Sequence, residues 1–209
     1  MQDDTRERIL NVAEALFAEQ GFANTSLRTI TTRARVNLAA VNYHFGSKEA
    51  LIQAIFSRRM APLNRERLGR LGELESAGVA PSLEAILEAF IAPTLKDPAD
   101  TDPGEIRFMR LLGRTQAGAS RPLREFVHTL YAEVLDRFGN AIGRALPELP
   151  RDELYWRVHF MMGVLSYTQA GIATMKLVSD CDPPGAEDPA ALQRRLIPFL
   201  AAGLRAPLA

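Results

Sequence analysis

Residues 25–48 set short polar and small side chains at spacings that suit contact with a polyanion. They read Thr25-Ser-Leu-Arg-Thr-Ile-Thr-Thr-Arg-Ala-Arg-Val-Asn-Leu-Ala-Ala-Val-Asn-Tyr-His-Phe-Gly-Ser-Lys48. Apolar steps of three and four, Leu27–Ile30–Ala34 and then Leu38–Val41–Phe45, predict two short helices joined by a tight turn at Arg35–Val36. Thr25 or Ser26 caps the first and Asn37 the second, and the amides and hydroxyls at the first cap can receive a phosphate oxygen. The second helix turns Leu38 and Val41 inward and offers Ala39, Ala40, Asn42 and Tyr43 to solvent. Small residues let a backbone approach a groove, an alanine methyl can touch a thymine methyl, and Asn42 can pair with an adenine edge. Tyr43, His44 and Lys48 follow, with a hydroxyl, an imidazole and an ammonium that can reach a phosphodiester. Taken singly, each of these is an ordinary packing or surface residue, and Phe45 is assigned to packing. The combination is what points to duplex DNA.

Neither short helix is long enough to stand alone in water, so other elements must hold them. Ile9, Ala13 and Leu16, widened by Leu10 and Phe17, line an N-terminal helix that Gly21 ends. Ser47 caps a longer helix running from Lys48 through Leu51, Ala54 and Ile55 toward Leu71, before a break at 72–81. Ser82 caps the next, which Pro93 kinks or ends. Ile106–Arg114 and a segment from Pro122 to Ala145 are helical, and Asp188-Pro189 starts the last helix. Leu154–Val178 is apolar enough in length to suggest a membrane span, but Arg157, His159, Gln169 and Lys176 are costly in lipid. A soluble helix apolar all round is buried on two sides, here one against a core or pocket and one against a second subunit. No segment alternates with period two. The expected fold is all-α with about nine helices: a helix-turn-helix unit over 1–50 and a bundle over 51–209.

The 209 residues carry 25 Lys+Arg against 25 Asp+Glu, so no global positive field exists. Charge is nonetheless uneven. Residues 22–60 hold Arg28, Arg33, Arg35, Lys48, Arg58 and Arg59 against Glu49 alone, a local footprint for an anionic partner. Cys181 is the single cysteine, which excludes an intrachain disulfide and fits a reducing, cytoplasmic setting. The charged N-terminus shows no apolar signal region. There is no Gly-x-Ser-x-Gly elbow, phosphate-loop signature or His-Glu-x-x-His, and His44, His128 and His159 have no ligand spacing. We therefore expect neither an enzyme nor a bound cofactor or metal.

The chain resembles the TetR family of transcriptional regulators through Gly21-Phe22, Thr25-Ser-Leu-Arg-Thr-Ile30, Val36-Asn37 and above all Val41-Asn-Tyr-His-Phe-Gly-Ser-Lys-Glu-Ala-Leu51. The resemblance implies an all-helical homodimer that reads a palindromic operator, commonly as a repressor released by a small effector, although an activator stays open. It carries DNA contact onto Thr25, Ser26, Arg28, Asn42, Tyr43, His44 and Lys48. Arg35 departs from the pattern, because the family commonly has glycine at that turn. A left-handed backbone there costs a side chain about 1–2 kcal/mol, unless contact with phosphate compensates. The stretches Phe108-Met-Arg-Leu-Leu112, Leu154-Tyr-Trp-Arg-Val-His-Phe-Met-Met162 and Pro198-Phe-Leu-Ala-Ala-Gly203 look most like the fatty-acid-responsive PsrA-type branch. That implies a fatty acid or acyl-CoA effector, with Phe108, Met109, Leu112, Phe126, Leu130, His159, Met162 and Tyr167 as pocket candidates. Arg107, Arg110 and Arg114 form a stripe that is either solvated surface or an anchor for an anionic head group. The alternative is a helical lipid carrier or dimerisation module, which leaves the basic N-terminal segment unexplained.

Overall fold

A computed structural model describes residues 2–96, 102–118, 120–169 and 188–208. In chain order the α-helices are α1 (Gln2–Gln20), α2 (Leu27–Ala34), α3 (Leu38–Phe45), α4 (Lys48–Ser76), α5 (Leu83–Ile91), α6 (Pro103–Gly118), α7 (Arg121–Ala145), α8 (Arg151–Gln169) and α9 (Pro189–Leu204). A 3-10 turn, Ala92–Thr94, follows α5 and contains Pro93. The described residues hold no strand, and the all-α expectation stands.

The predicted caps form. Gly21 leaves α1 at φ 83°. Ser26 Oγ accepts from the Thr29 amide, Asn37 Oδ1 from the Ala40 amide, Ser47 Oγ from the Ala50 amide and Ser82 Oγ from the Ala85 amide. Asp188 caps α9 by accepting from the Ala190 amide, with Pro189 in the first turn. The predicted break at 72–81 is shorter than expected, because α4 continues through Gly72 to Ser76. A single interior glycine costs about 1 kcal/mol, which a 29-residue helix absorbs. Pro62 lies inside α4, where it lacks the amide that would bond Arg58 and crowds that carbonyl. The expected apolar segment beyond Gln169, with Met175 and Lys176, lies outside the described residues.

The chain divides into two compact units: Met1–Ala61 with Thr101–Leu130, and Pro62–Asp100 with Tyr131–Ala209. In the first, Ile9, Leu10, Ala13, Leu16 and Phe17 of α1 are buried together with Ile30, Ala34, Val41, Leu51, Ile55 and Phe56. Phe108 of α6 meets Phe56 edge to face at 5.2 Å. In the second, Leu83, Leu87, Phe90 and Ile91 of α5 form one core with Val134 and Phe138 of α7, Leu154, Met161 and Leu165 of α8, and Leu196, Leu200 and Leu204 of α9. Each buried leucine or phenylalanine side chain stabilises by about 1.5–3 kcal/mol.

Two sets of buried charges hold these units internally. Glu14 of α1 is buried and takes Arg58 Nη2 at 2.5 Å, Arg59 Nε at 3.1 Å to each oxygen and Arg59 Nη2 at 2.9 Å. Arg58 also donates to Glu7 and Asn11, each at 2.8 Å, and Arg59 to Asp102 at 2.9 Å. Burial works against the Arg59 charge, but hydrogen bonding to and attraction from Glu14 and Asp102 outweigh it and hold its pKa above the ordinary value. Asp102 in turn accepts the Gly104 amide, which fixes the start of α6. A Cβ on Gly104 would fall 1.9 Å from Arg59 Nη2, so a side chain there would displace the guanidinium from its place in the cluster. In the second unit, buried Arg157 pairs with Glu153 at 2.7 Å and donates to the carbonyls of Leu204 (2.9 Å) and Ala206 (2.6 Å). It satisfies carbonyls that the end of α9 leaves without helical partners. Arg205 donates to Glu84 and holds that carboxyl at about 2, although both groups are too exposed for a strong tie.

Replacing Glu14 takes the buried carboxylate from two guanidinium groups at once, leaving Arg58 with Glu7 and Asn11 and Arg59 with Asp102. Glu14→Gln should lower the unfolding free energy by about 3 kcal/mol, the range for breaking a buried pair from one side, in urea denaturation of the full chain.

Candidate nucleic-acid interface

The helix-turn-helix forms around a small apolar seam. Ile30, Thr31 and Ala34 of α2 and Val41 of α3 are buried. Between the helices Arg35 adopts φ 53°, ψ 48°, the one left-handed residue other than glycine among those described. Its amide bonds Thr32 O at 3.3 Å and the Val36 amide bonds Thr31 O at 3.0 Å, closing the end of α2 in a Schellman-like turn. The strain expected at this position is therefore present. Gly46, at φ 78°, ends α3 without that penalty.

With Val41 fully buried, α3 presents Asn37, Ala39 and Asn42 as exposed, Ala40 and His44 as half-buried, and Tyr43 at 74% exposure. Tyr43 stands edge to face against His44 at 5.1 Å, which orients the phenol. Lys48 Nζ lies 4.2 Å from the centre of the Phe22 ring, so a cation–π contact positions the ammonium. Along α2, Ser26, Arg28, Thr29, Thr32 and Arg33 line an open groove with two cations and three hydroxyls. Ser26 Oγ shares a 2.8 Å hydrogen bond with Thr29 Oγ1. Thr29 and Thr32 were not expected as contacts and Arg33 only as part of the basic excess, although their placement beside Arg28 at steps of one, four and five is the signal that marks one helical face.

Three expectations need correction. Thr25 is buried, and its hydroxyl donates to Gly21 O at 2.9 Å and Leu16 O at 3.4 Å. It splices the α1–α2 connection, and Ser26 alone is the cap. Leu38 is half exposed rather than inward, because an eight-residue helix lying on one seam buries only the position nearest the seam. The local basic excess is also smaller than it reads, since Arg58 and Arg59 are consumed by Glu14. Arg28, Arg33, Arg35 and Lys48 remain, with Arg33 3.5 Å from Glu19.

The arrangement supplies a capped helix with small residues at its start, one amide side chain outward, and hydroxyls and cations at its flanks. The family model described as Bacterial regulatory proteins, tetR family, matches residues 9–55, and the one described as Tetracyclin repressor-like, C-terminal domain, matches residues 88–203. The chain belongs to the TetR family. Among TetR relatives, the transcriptional regulator SrpR of Pseudomonas putida is 27% identical over 144 residues, covering 69% of this chain and 60% of SrpR. UidR of Escherichia coli K12 is 47% identical over 51 residues, 24% of this chain and 26% of UidR. The chain thus spans less than two thirds of the length of these curated relatives. The fold is shared with the fatty acid degradation regulator FadR of Bacillus halodurans, at TM-score 0.67 and 18% identity over 96% of each chain. Salmonella enterica GusR follows the same fold, at TM-score 0.59 and 21% identity over 97% of this chain and 96% of GusR.

The expected effector residues of this TetR chain divide between the two units. Phe108, Met109, Leu112, Phe126 and Leu130 belong to the first, where Phe108 and Leu112 are buried and the other three half-buried. His159, Met162 and Tyr167 belong to the second, where His159 and Tyr167 are exposed on α8 and Met162 is half-buried against the core. His159 and Tyr167 do not line the core of their unit, because α8 turns Leu154, Met161 and Leu165 inward. Arg107 is half-buried. The side chains of Arg110, Arg114, Gln116 and Gln169 lie outside the described residues. Among those described, no group of His, Cys, Asp or Glu has the composition of a metal site, and no helix is long and apolar enough to cross a membrane.

Relief of the left-handed strain is measurable. Arg35→Gly should raise the unfolding free energy by about 1 kcal/mol, read as a higher denaturation midpoint at unchanged slope.

Proposed function

We propose that the chain is a homodimeric, DNA-binding transcriptional regulator whose α2–α3 heads enter the major groove. The single observation that carries this reading is the exposed polar rim of α3, Asn37, Asn42 and Tyr43, set over the buried Val41. Asn42 is the base-reading candidate. Ala39 and Ala40 permit close approach, while Ser26, Arg28, Tyr43, His44 and Lys48 meet the phosphates, joined by Thr29, Thr32 and Arg33 of the groove. Membership of the TetR family supports the reading. A cytoplasmic location fits that reading. The two heads of a dimer must lie roughly 34–36 Å apart to meet successive turns of duplex.

The surface for the second copy is the outer face of α8 and α9. Trp156, Phe160 and Tyr167 are exposed along α8, with His159 between them, and Phe199 is exposed on α9. Trp156 and Phe160 stack at 5.9 Å. An aromatic face of this kind, left in water, marks an interface. We further assign the protein as a repressor released by a small apolar effector. A fatty acid fits the PsrA-like stretches around Phe108, Leu154 and Pro198. Linkage requires that an effector preferring the non-binding dimer weaken operator affinity by the same factor.

Affinity for a random 30-base-pair duplex should fall steeply with salt. Lys48→Ala should reduce the slope of log K against log salt by about 1, while Asn42→Ala should remove about 1–3 kcal/mol of discrimination between a selected operator and random duplex. Indifference to duplex at low salt would favour the carrier alternative. Phe160→Arg should convert the dimer to a monomer in sedimentation analysis and leave the helical signal in circular dichroism intact.

A further inference from the structure

Among the described residues Arg67 is the largest fully buried side chain, 1% exposed, and no carboxylate pairs with it. It belongs to the part of α4 that lies in the second unit. Its Nε donates to Phe90 O at 2.8 Å, one of the carbonyls that the end of α5 leaves without a helical partner. The guanidinium carbon stands 4.0 Å from the centre of the Phe90 ring and 5.7 Å from that of Tyr131. Nη1 is buried with no hydrogen-bond partner. An arginine cannot shed its proton to escape burial, and cation–π contact balances only part of a desolvated charge. The fork is therefore held at one edge and unsatisfied at its end.

We infer that Arg67 anchors the carboxylate of a small organic acid with an apolar body. The anion meets the N–H groups of Nη1 end-on, and the aromatic wall of Phe90, Tyr131 and Phe138 takes the body. Phe90 and Phe138 already stack edge to face at 5.1 Å. A single cation in an aromatic setting matches a monoanion, because desolvating a dianion such as phosphate costs far more than one guanidinium returns. The rings that cover Arg67 must part to admit the acid, so the acid favours the parted form, and the charge left unrelieved in the closed form is the source of that differential affinity. This rests on the reading of the chain as an effector-responsive regulator and narrows the effector to a free acid. A thioester carries no carboxylate at its acyl end and cannot use the fork.

The test is calorimetric titration and thermal shift of the full chain with octanoate, oleate and phenylacetate. Octanamide, oleamide and phenylacetamide serve as uncharged matches. At least one acid should bind tenfold or more tightly than its amide and raise the melting temperature. Arg67→Met should bring acid and amide within twofold of each other, and Arg67→Lys should retain part of the preference. Equal binding of acid and amide by the unaltered protein overturns the assignment, as does failure of every acid to bind, or a preference that survives Arg67→Met. If Arg67→Met does not fold, the acid-against-amide comparison on the unaltered chain decides by itself. Loss of duplex binding at low salt would defeat the regulator reading and leave the acid preference standing, so the two failures are distinguishable.

Discussion

The buried carboxylate of Glu14 is the constraint on which the N-terminal unit turns. Helices of eight residues do not persist in water by their own hydrogen bonds, so α2 and α3 exist only because α1 and the start of α4 give them a surface. Glu14 binds those two supports together through Arg58 and Arg59, and through Asp102 it also fixes the beginning of α6. Such a cluster is intolerant: with all its partners it is satisfied, and with one removed it leaves charges in a place they cannot be solvated. The cluster also bears on Gly104, where a side chain would push aside the guanidinium that completes it. A rigid seat for α3 is worth having if Asn42 is to meet a base edge, since hydrogen-bond readout depends on angle as well as distance.

The second unit uses its buried arginines differently. Arg157 has a carboxylate in Glu153 and donates also to carbonyls at and just past the end of α9. Arg67 has a backbone carbonyl and two aromatic rings, and no carboxylate among the described residues. Both stand at helix C-termini, where the aligned peptide dipoles favour a cation. They differ in whether the charge is closed off. Arg157 reads as a clasp that needs nothing further. Arg67 has capacity left over, and that contrast within one core gives it meaning beyond packing.

Much of the fold was legible because its cues are local. Gly21, Ser26, Asn37, Ser47, Ser82 and Asp188 were recognisable as helix boundaries from residue type, since a cap is satisfied by amides two or three positions away. Arg35 was recognisable as a strained turn only because the family it resembles commonly has glycine there. The misreadings came where a residue answers to partners distant in sequence. Thr25 looked like a cap and is buried against Leu16 and Gly21. Arg58 and Arg59 looked like part of a basic face and belong to a carboxylate more than forty residues earlier. In α8, composition did not say which face is buried: Leu154, Met161 and Leu165 turn inward, and His159 and Tyr167 are exposed.

From the chain alone came the helical class, the placement of most helix ends and the two abutting short helices with a polar outer rim. Those follow from interactions spanning one to four residues, which a linear string records. Tertiary structure decided which charges are spent and which remain: Glu14 absorbs Arg58 and Arg59, Arg157 closes α9, and Arg67 is left with an open edge. Charge compensation is a matter of distance in space, and two groups forty or more residues apart carry no mark of their meeting until the chain has folded.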